Sequence, residues 1–276
     1  MFRKTIATEA SYTGLGVYSG KVIKVTLKPA KCGDGIRIIR DDCKENNVII
    51  VDAFARYEAK NLNTKISNGY VEVLMIEHLM ATIWNFRITD LEIHIDANEV
   101  PMLDGSARYW VRLIKSIGVK NFDGIKKPYK FITNEIAYSD GDVSIFAKPY
   151  DRLKISYTID FAEKSIGKNT FIFDENDESF FNEIAPARTF CTAKQVKRHM
   201  DIKKAFNDYD MVVFDDNSFQ IADHMTRYSN EPTRHKILDL IGDLMSSGEF
   251  ICGEFFCNNS GHATNRAIIN KIFSVR

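Results

Sequence analysis

Two stretches of this chain carry the same order of features at nearly the same spacing, and this repetition constrains the fold more than any single motif. His78 lies in a run of helical spacing, followed by an alternating strand at Leu91–Ile95, then Gly105-Ser106-Ala107 and a second helical run. His235 lies in a helical run, followed by an apolar strand at 250–256, then Gly261-His262-Ala263 and a last helical run. The intervals from histidine to glycine are 27 and 26 residues. Order and spacing agree together, so the expected architecture is an internal duplication. It comprises two similar α+β domains, each with helices layered on β-sheets, spanning 1–125 and 126–276. Strands and helices do not alternate strictly, which argues against a doubly wound parallel sheet.

Local patterns fill in the elements. Strands are expected at 22–27, 36–39 and 48–51, where apolar runs are bounded by turn residues. Apolar residues at 75, 76, 79, 80, 83 and 84 predict a helix over 73–86. Ser106 is a candidate cap for a helix running to Ile117, with Gly118 just past its end. After Lys126-Lys127-Pro128 the pattern restarts with strands at 130–138, 142–148, 153–161, 171–173 and 212–214. A helix from about Pro232 to Met245 stops at Gly248, and the last helix covers 263–273.

Composition narrows the class. The 276 residues carry 37 Lys+Arg against 37 Asp+Glu and are 45% hydrophobic, which excludes wholesale disorder. Charge balance argues against a nucleic-acid binder. No stretch reaches the 18 or so apolar residues of a membrane span, and the N-terminus turns polar too soon for a signal peptide. Cys32, Cys43, Cys191, Cys252 and Cys257 are scattered without a CxxC pair, as expected of buried thiols in a reducing, cytoplasmic compartment.

Three of the six histidines fall in the matched stretches. His235 and Asp239, at i and i+4, share a helix face that Asp243 continues. Such a pair can chelate a metal, but a bland surface or core pair is the commoner use of that spacing. Glu77-His78 sits inside an apolar run, where both residues cost stability unless paired or ligated; a core histidine with one hydrogen bond would satisfy the same pattern. His262 follows Ser260-Gly261, which by itself marks only a turn. Taken together, two histidines and a carboxylate leave a fourth tetrahedral position for water, as in hydrolytic zinc sites. A spare Glu and a spare His then supply a base and an acid. His94, His199 and His224 have no such setting.

At these residues the chain resembles a known family. Ile76-Glu77-His78-Leu79, the segment 101–107, Thr158-Ile159-Asp160-Phe161, Ala187-Arg188-Thr189-Phe190, the segment 234–244 and Ser260-Gly261-His262-Ala263 are similar to the UDP-3-O-acyl-N-acetylglucosamine deacetylases. That family comprises bacterial zinc amidases of lipid A synthesis. The match runs in order from Thr13-Gly14-Leu15-Gly16 over essentially the whole chain. The resemblance implies a fold of two similar α+β domains and zinc, with iron as the alternative, on His78, His235 and Asp239. It implies Glu77 as general base and His262 as general acid, with Asp243 stabilising the protonated His262. Thr189 and Lys236 would face the oxyanion or a nearby phosphate. Asp160, Phe161 and Phe190 would contact the substrate, Phe161 against uracil.

The implied substrate is a UDP-linked, 3-O-acylated N-acetylglucosamine. The implied protein is a cytoplasmic monomer that touches a membrane surface at most transiently and binds no nucleic acid. The segment from about Cys191 to Met211 would form a hydrophobic passage for the acyl chain. Three positions and one stretch depart from the family pattern. Tyr18 stands where a histidine is expected, Val143 replaces a basic residue, Asn259 replaces a lysine, and 205–210 replace a glycine-rich stretch. Lys148, Lys154 or Arg188 would then have to supply lost phosphate contacts. These departures define two rivals: a paralogous deacetylase of another N-acyl sugar, and a non-catalytic lipid- or nucleotide-binding module. The second has no need of the Glu77/His262 pair.

Overall fold

The computed structural model describes every residue except 61–62, 176, 199–210, 217–225 and 275–276. From the N-terminus come β1 (Phe2–Ile6), β2 (Ala10–Leu15), β3 (Val22–Pro29), β4 (Ile36–Arg40) and β5 (Val48–Ile50). A three-stranded antiparallel unit follows: β6 (Arg56–Lys60), β7 (Asn63–Ser67) and β8 (Glu72–Leu74). Next are α1 (Glu77–Asn85), β9 (Leu91–Ile95), α2 (Arg108–Ile117) and β10 (Val119–Lys126), the last pairing with β1. The second half opens with β11 (Lys130–Phe131), β12 (Ile136–Asp140), β13 (Val143–Lys148), β14 (Leu153–Asp160) and β15 (Lys168–Asp174). After a short turn α3 (Asp177–Ser179) and a π-helical turn at Phe180–Ile184 come β16 (Phe190–Thr192), α4 (Ala193–Arg198) and β17 (Val212–Phe214). The chain closes with α5 (Glu231–Met245), β18 (Ile251–Asn258) and α6 (His262–Ser274).

The same connectivity occurs twice. The first sheet runs β2-β3-β9-β4-β5 and the second β12-β13-β18-β14-β15, with β11 beside β18. In each, the central strand is antiparallel to one neighbour and parallel to the other, β9 with β3 and β4, β18 with β13 and β14. In each, that strand is the last of its sheet in the chain, with one helix before it and one after it. An additional unit enters at the same point of both halves, β6–β8 in the first and β16–α4–β17 in the second.

Alternation along the strands turns one face of each sheet inward. Ile23, Val25 and Leu27 of β3, Leu91, Ile93 and Ile95 of β9, and Leu153, Ile155, Tyr157 and Ile159 of β14 are buried. Nearly every residue of α5 is buried, including His235, Asp239 and Asp243. A helix enclosed on all sides must pair its polar groups, and those three residues form the site described below. α1 crosses α5 at Gly242, where an added Cβ would lie 2.0 Å from the carbonyl oxygen of Glu77. The missing side chain is what lets the two helices approach.

Strands β1, β2, β6, β7, β10 and β16 are additional to those expected, the N-cap of α2 is Ala107 and not Ser106, and two expected elements are divided. The apolar run at 73–86 is shared between β8 and α1, because the chain reverses at Met75, whose φ is +62°. Residues 130–138 split into β11 and β12. The first is parallel to β18 and the second antiparallel to β13, so the exposed Thr133-Asn134 must carry a turn. Among the described residues, no helix is long and apolar enough to cross a membrane. All five cysteines are free, with Cys191, Cys252 and Cys257 buried.

Candidate active site

The first turn of α1 meets the middle of α5, and two histidines and a carboxylate converge there. One ligand atom each of His78, His235 and Asp239 lie within 4.8 Å of one another, and all three residues are buried. Nε2 of His235 is 3.2 Å and Nε2 of His78 is 3.6 Å from Oδ1 of Asp239. The two imidazoles stand edge to face with centroids 4.9 Å apart.

The motif Ala187-Arg188-Thr189-Phe190 sets this arrangement. His235 Nδ1–H donates to the carbonyl of Ala187 at 3.0 Å, which orients the ring and turns Nε2 towards His78 and Asp239. Arg188 anchors the start of α5: its backbone N–H and Nε–H both donate to Glu231 at 2.9 Å. Thr189 N–H donates to Gly105 O at 2.7 Å, which ties the motif to the first half. Phe190 lies edge-on to His235, with centroids 6.4 Å apart, and edge-on to Phe161 at 5.6 Å.

Charge is distributed unevenly. Burial alone would raise Asp239, but the charges of His235 and Lys236 and hydrogen bonds from both histidines hold it well below the ordinary carboxylate range. Lys236 Nζ donates to Asp239 Oδ2 at 3.1 Å. Glu77 behaves in the opposite way: burial raises it, and the charges of His262 and His78 only partly offset that. His262 Nδ1–H donates to Asp243 Oδ2 at 2.8 Å. Burial disfavours the imidazolium, yet the charge and hydrogen bond of Asp243, with Asp239 and Glu77 beyond, push it up to about 9. A raised carboxyl beside a raised imidazole is the pairing expected of a base and an acid.

A buried donor set of two imidazole nitrogens and one carboxylate, with one ring held in place and the carboxylate ionised, fits a divalent transition metal. Seven of the residues singled out in the sequence meet here: Glu77, His78, His235, Lys236, Asp239, Asp243 and His262. Phe190 flanks them, against His235 and Lys236, and Thr189 precedes it in the chain. Asp160 and Phe161 lie at the end of β14, joined to the site through the ring contact of Phe161 with Phe190.

The departures have local roles. Tyr18 Oη accepts from Asn63 Nδ2 at 2.6 Å, and the N–H groups of Tyr18 and Ser19 donate to the buried Glu99. Asn259 Oδ1 accepts from the N–H of Asp160 at 2.6 Å. The cations considered as phosphate contacts are already paired, Lys148 and Lys154 with Glu254 and Arg188 with Glu231. Residues 205–210 lie outside the described residues, as does most of the proposed acyl passage.

Pattern reading missed two residues. Asn265 Nδ2 donates to Asp243 Oδ2 at 2.8 Å; its place three residues after His262 on one helix was an available signal. Thr64 reaches the site from β7, a strand with no clear alternation in the sequence.

The profile of the family described as "LpxC: UDP-3-O-acyl N-acetylglycosamine deacetylase" matches residues 3–274. A UDP-3-O-acyl-N-acetylglucosamine deacetylase of Shewanella loihica is 30% identical over 278 residues, covering 99% of this chain and 90% of that protein. One of Thermodesulfovibrio yellowstonii is 33% identical over 274 residues, covering 98% and 91%. Matched along nearly its whole length by the profile and by both relatives, this chain belongs to the UDP-3-O-acyl N-acetylglycosamine deacetylase family.

Proposed function

We propose that the protein hydrolyses the acetamide of UDP-3-O-acyl-N-acetylglucosamine, releasing acetate and the free amine, as a zinc-dependent step of lipid A synthesis in the cytoplasm. The observation that carries this reading is the convergence of a His₂Asp donor set with a raised carboxyl and a raised imidazole, in a member of this family.

His78, His235 and Asp239 would hold the metal. Zinc, when bound, supplies a Lewis acid for the amide carbonyl and lowers the pKa of water towards about 7. Glu77, buried and raised, is the base that takes a proton from the attacking water. Lys236, which donates to Asp239, and Thr189 would stabilise negative charge as it develops on the carbonyl oxygen. His262, kept cationic by Asp243, donates its proton from Nε2 to the departing nitrogen as the C–N bond breaks. Nδ1 is committed to Asp243, so Nε2 is the nitrogen free to act. Asp160, Phe161 and Phe190 would bind the nucleotide and guide the sugar towards the metal.

The paralogous reading rests on Val143 and Asn259. Asn259 instead accepts from the Asp160 N–H, at the strand end proposed to bind the nucleotide. Affinity for UDP measured apart from turnover tests this. Micromolar to millimolar UDP binding that Phe161→Ala weakens supports the nucleotide assignment; full zinc content with no UDP binding overturns it.

A further inference from the structure

The base and the acid of the proposed reaction come from different halves of the chain, and one residue meets both, the base through its backbone and the acid's pair through its side chain. Thr64 lies on β7 and is 6% exposed. Its backbone N–H donates to Glu77 Oε2 at 3.2 Å. Its carbonyl accepts from Met75 N–H at 2.9 Å, which fixes β7 beside the start of α1. Its hydroxyl lies 2.5 Å from Asp243 Oδ1 and 3.1 Å from His262 Nδ1.

Proton bookkeeping leaves a single consistent arrangement. An ionised carboxylate only accepts, so the Thr64 hydroxyl proton points to Asp243 Oδ1. The oxygen of Thr64 is then an acceptor towards His262, and Nδ1–H is shared between it and Asp243 Oδ2. Asn265 Nδ2 completes Asp243 as a second donor to Oδ2. With Thr64 in place, Asp243 cannot rotate and His262 keeps its proton on Nδ1 with Nε2 towards the reacting groups. The same residue, through its backbone, orients the Glu77 carboxylate.

We propose that Thr64 is a positioning residue that aligns Glu77 and the His262–Asp243 pair to one another across the two halves; this rests on the acid and base roles assigned above. Charge-assisted hydrogen bonds of this kind contribute enough that kcat should fall on the order of tenfold when the hydroxyl is removed. The test compares Thr64→Val, an isostere without the hydroxyl, and Thr64→Ser, which keeps it, in the zinc-loaded full-length protein.

Thr64→Val should lower kcat about tenfold, leave KM within about twofold and keep full zinc content, while Thr64→Ser restores most of kcat. A Thr64→Val enzyme with unchanged kcat, a loss confined to KM, loss of zinc, or equal losses in both variants overturns the proposal. The second readout needs no substrate: the hydrogen-bonded Nδ1–H resonance of His262, identified by its disappearance in His262→Gln. It should stand downfield in the wild type and Thr64→Ser, and move or broaden in Thr64→Val. Absence of that resonance from the wild type also overturns the proposal. If the wild type releases no acetate, the functional reading fails, whereas the resonance comparison still decides the role of Thr64.

Discussion

At the scale of single residues, the groups proposed to hold metal are distinct from those proposed to move protons. His78, His235 and Asp239 share one buried point, while Glu77 and His262 are tied instead to Thr64 and Asp243. Alanine at any of the three ligands should cut metal stoichiometry, measured on purified protein by elemental analysis. Glu77→Ala and His262→Ala should keep it and lose turnover; full metal retention in His78→Ala contradicts the ligand set. The pH profile follows from the same residues. Glu77 must be ionised, and burial raises it above the ordinary carboxylate value of about 4.3. The acidic limb should therefore lie above that value. His262 must be protonated and is pushed up to about 9, so turnover should fall as pH rises through that region. Asp243→Asn removes the charge that favours the imidazolium, moving the basic limb to lower pH and reducing the rate without releasing metal. A basic limb that stays put in both Asp243→Asn and His262→Gln removes His262 from the acid role.

At the scale of elements, the crossing of α1 and α5 controls the site. Gly→Ala in a helix ordinarily gains up to about 1 kcal/mol. Gly242→Ala should have the opposite sign, because its Cβ would overlap the Glu77 carbonyl. Overpacking of this kind costs about 1–3 kcal/mol. It should appear as a lower denaturation midpoint together with weaker metal binding, since His78 follows Glu77. Equal stability and affinity in Gly242→Ala would mean that the helices are not so closely apposed. The β16–α4–β17 unit gives a second element-scale prediction. We propose that 191–211 grips the acyl chain; turnover should then depend on chain length, and equal rates on short- and long-chain substrates would exclude such a passage.

These elements also show what pattern alone could convey. The His235/Asp239/Asp243 face was legible because i,i+4 spacing is a property of one helix. Glu77-His78 was legible because two polar residues interrupt an apolar run. Partners brought by tertiary contact were not. Thr64 arrives on a strand without alternation, and Ala187 acts through a carbonyl whose side chain carries no signal. The reversal at Met75 was hidden because the strand before it and the helix after it both supply apolar residues to one core.

At the scale of the whole molecule, the repeated sheet order explains why one site needs both halves. The equivalent helices α1 and α5 face each other, so each brings potential ligand groups to one buried point. We propose that the halves, 1–125 and 126–276, descend from a duplication whose copies kept the scaffold and divided the chemistry. The first copy supplies the base and one ligand; the second supplies two ligands and the acid. The most direct measurement of this account is acetate release from UDP-3-O-acyl-N-acetylglucosamine by the zinc-loaded protein, followed before and after chelation. The account predicts one acetate per UDP-3-O-acyl-glucosamine formed, loss of turnover on chelation and its return with added zinc. An untouched substrate in the presence of a fully metal-loaded protein would contradict it.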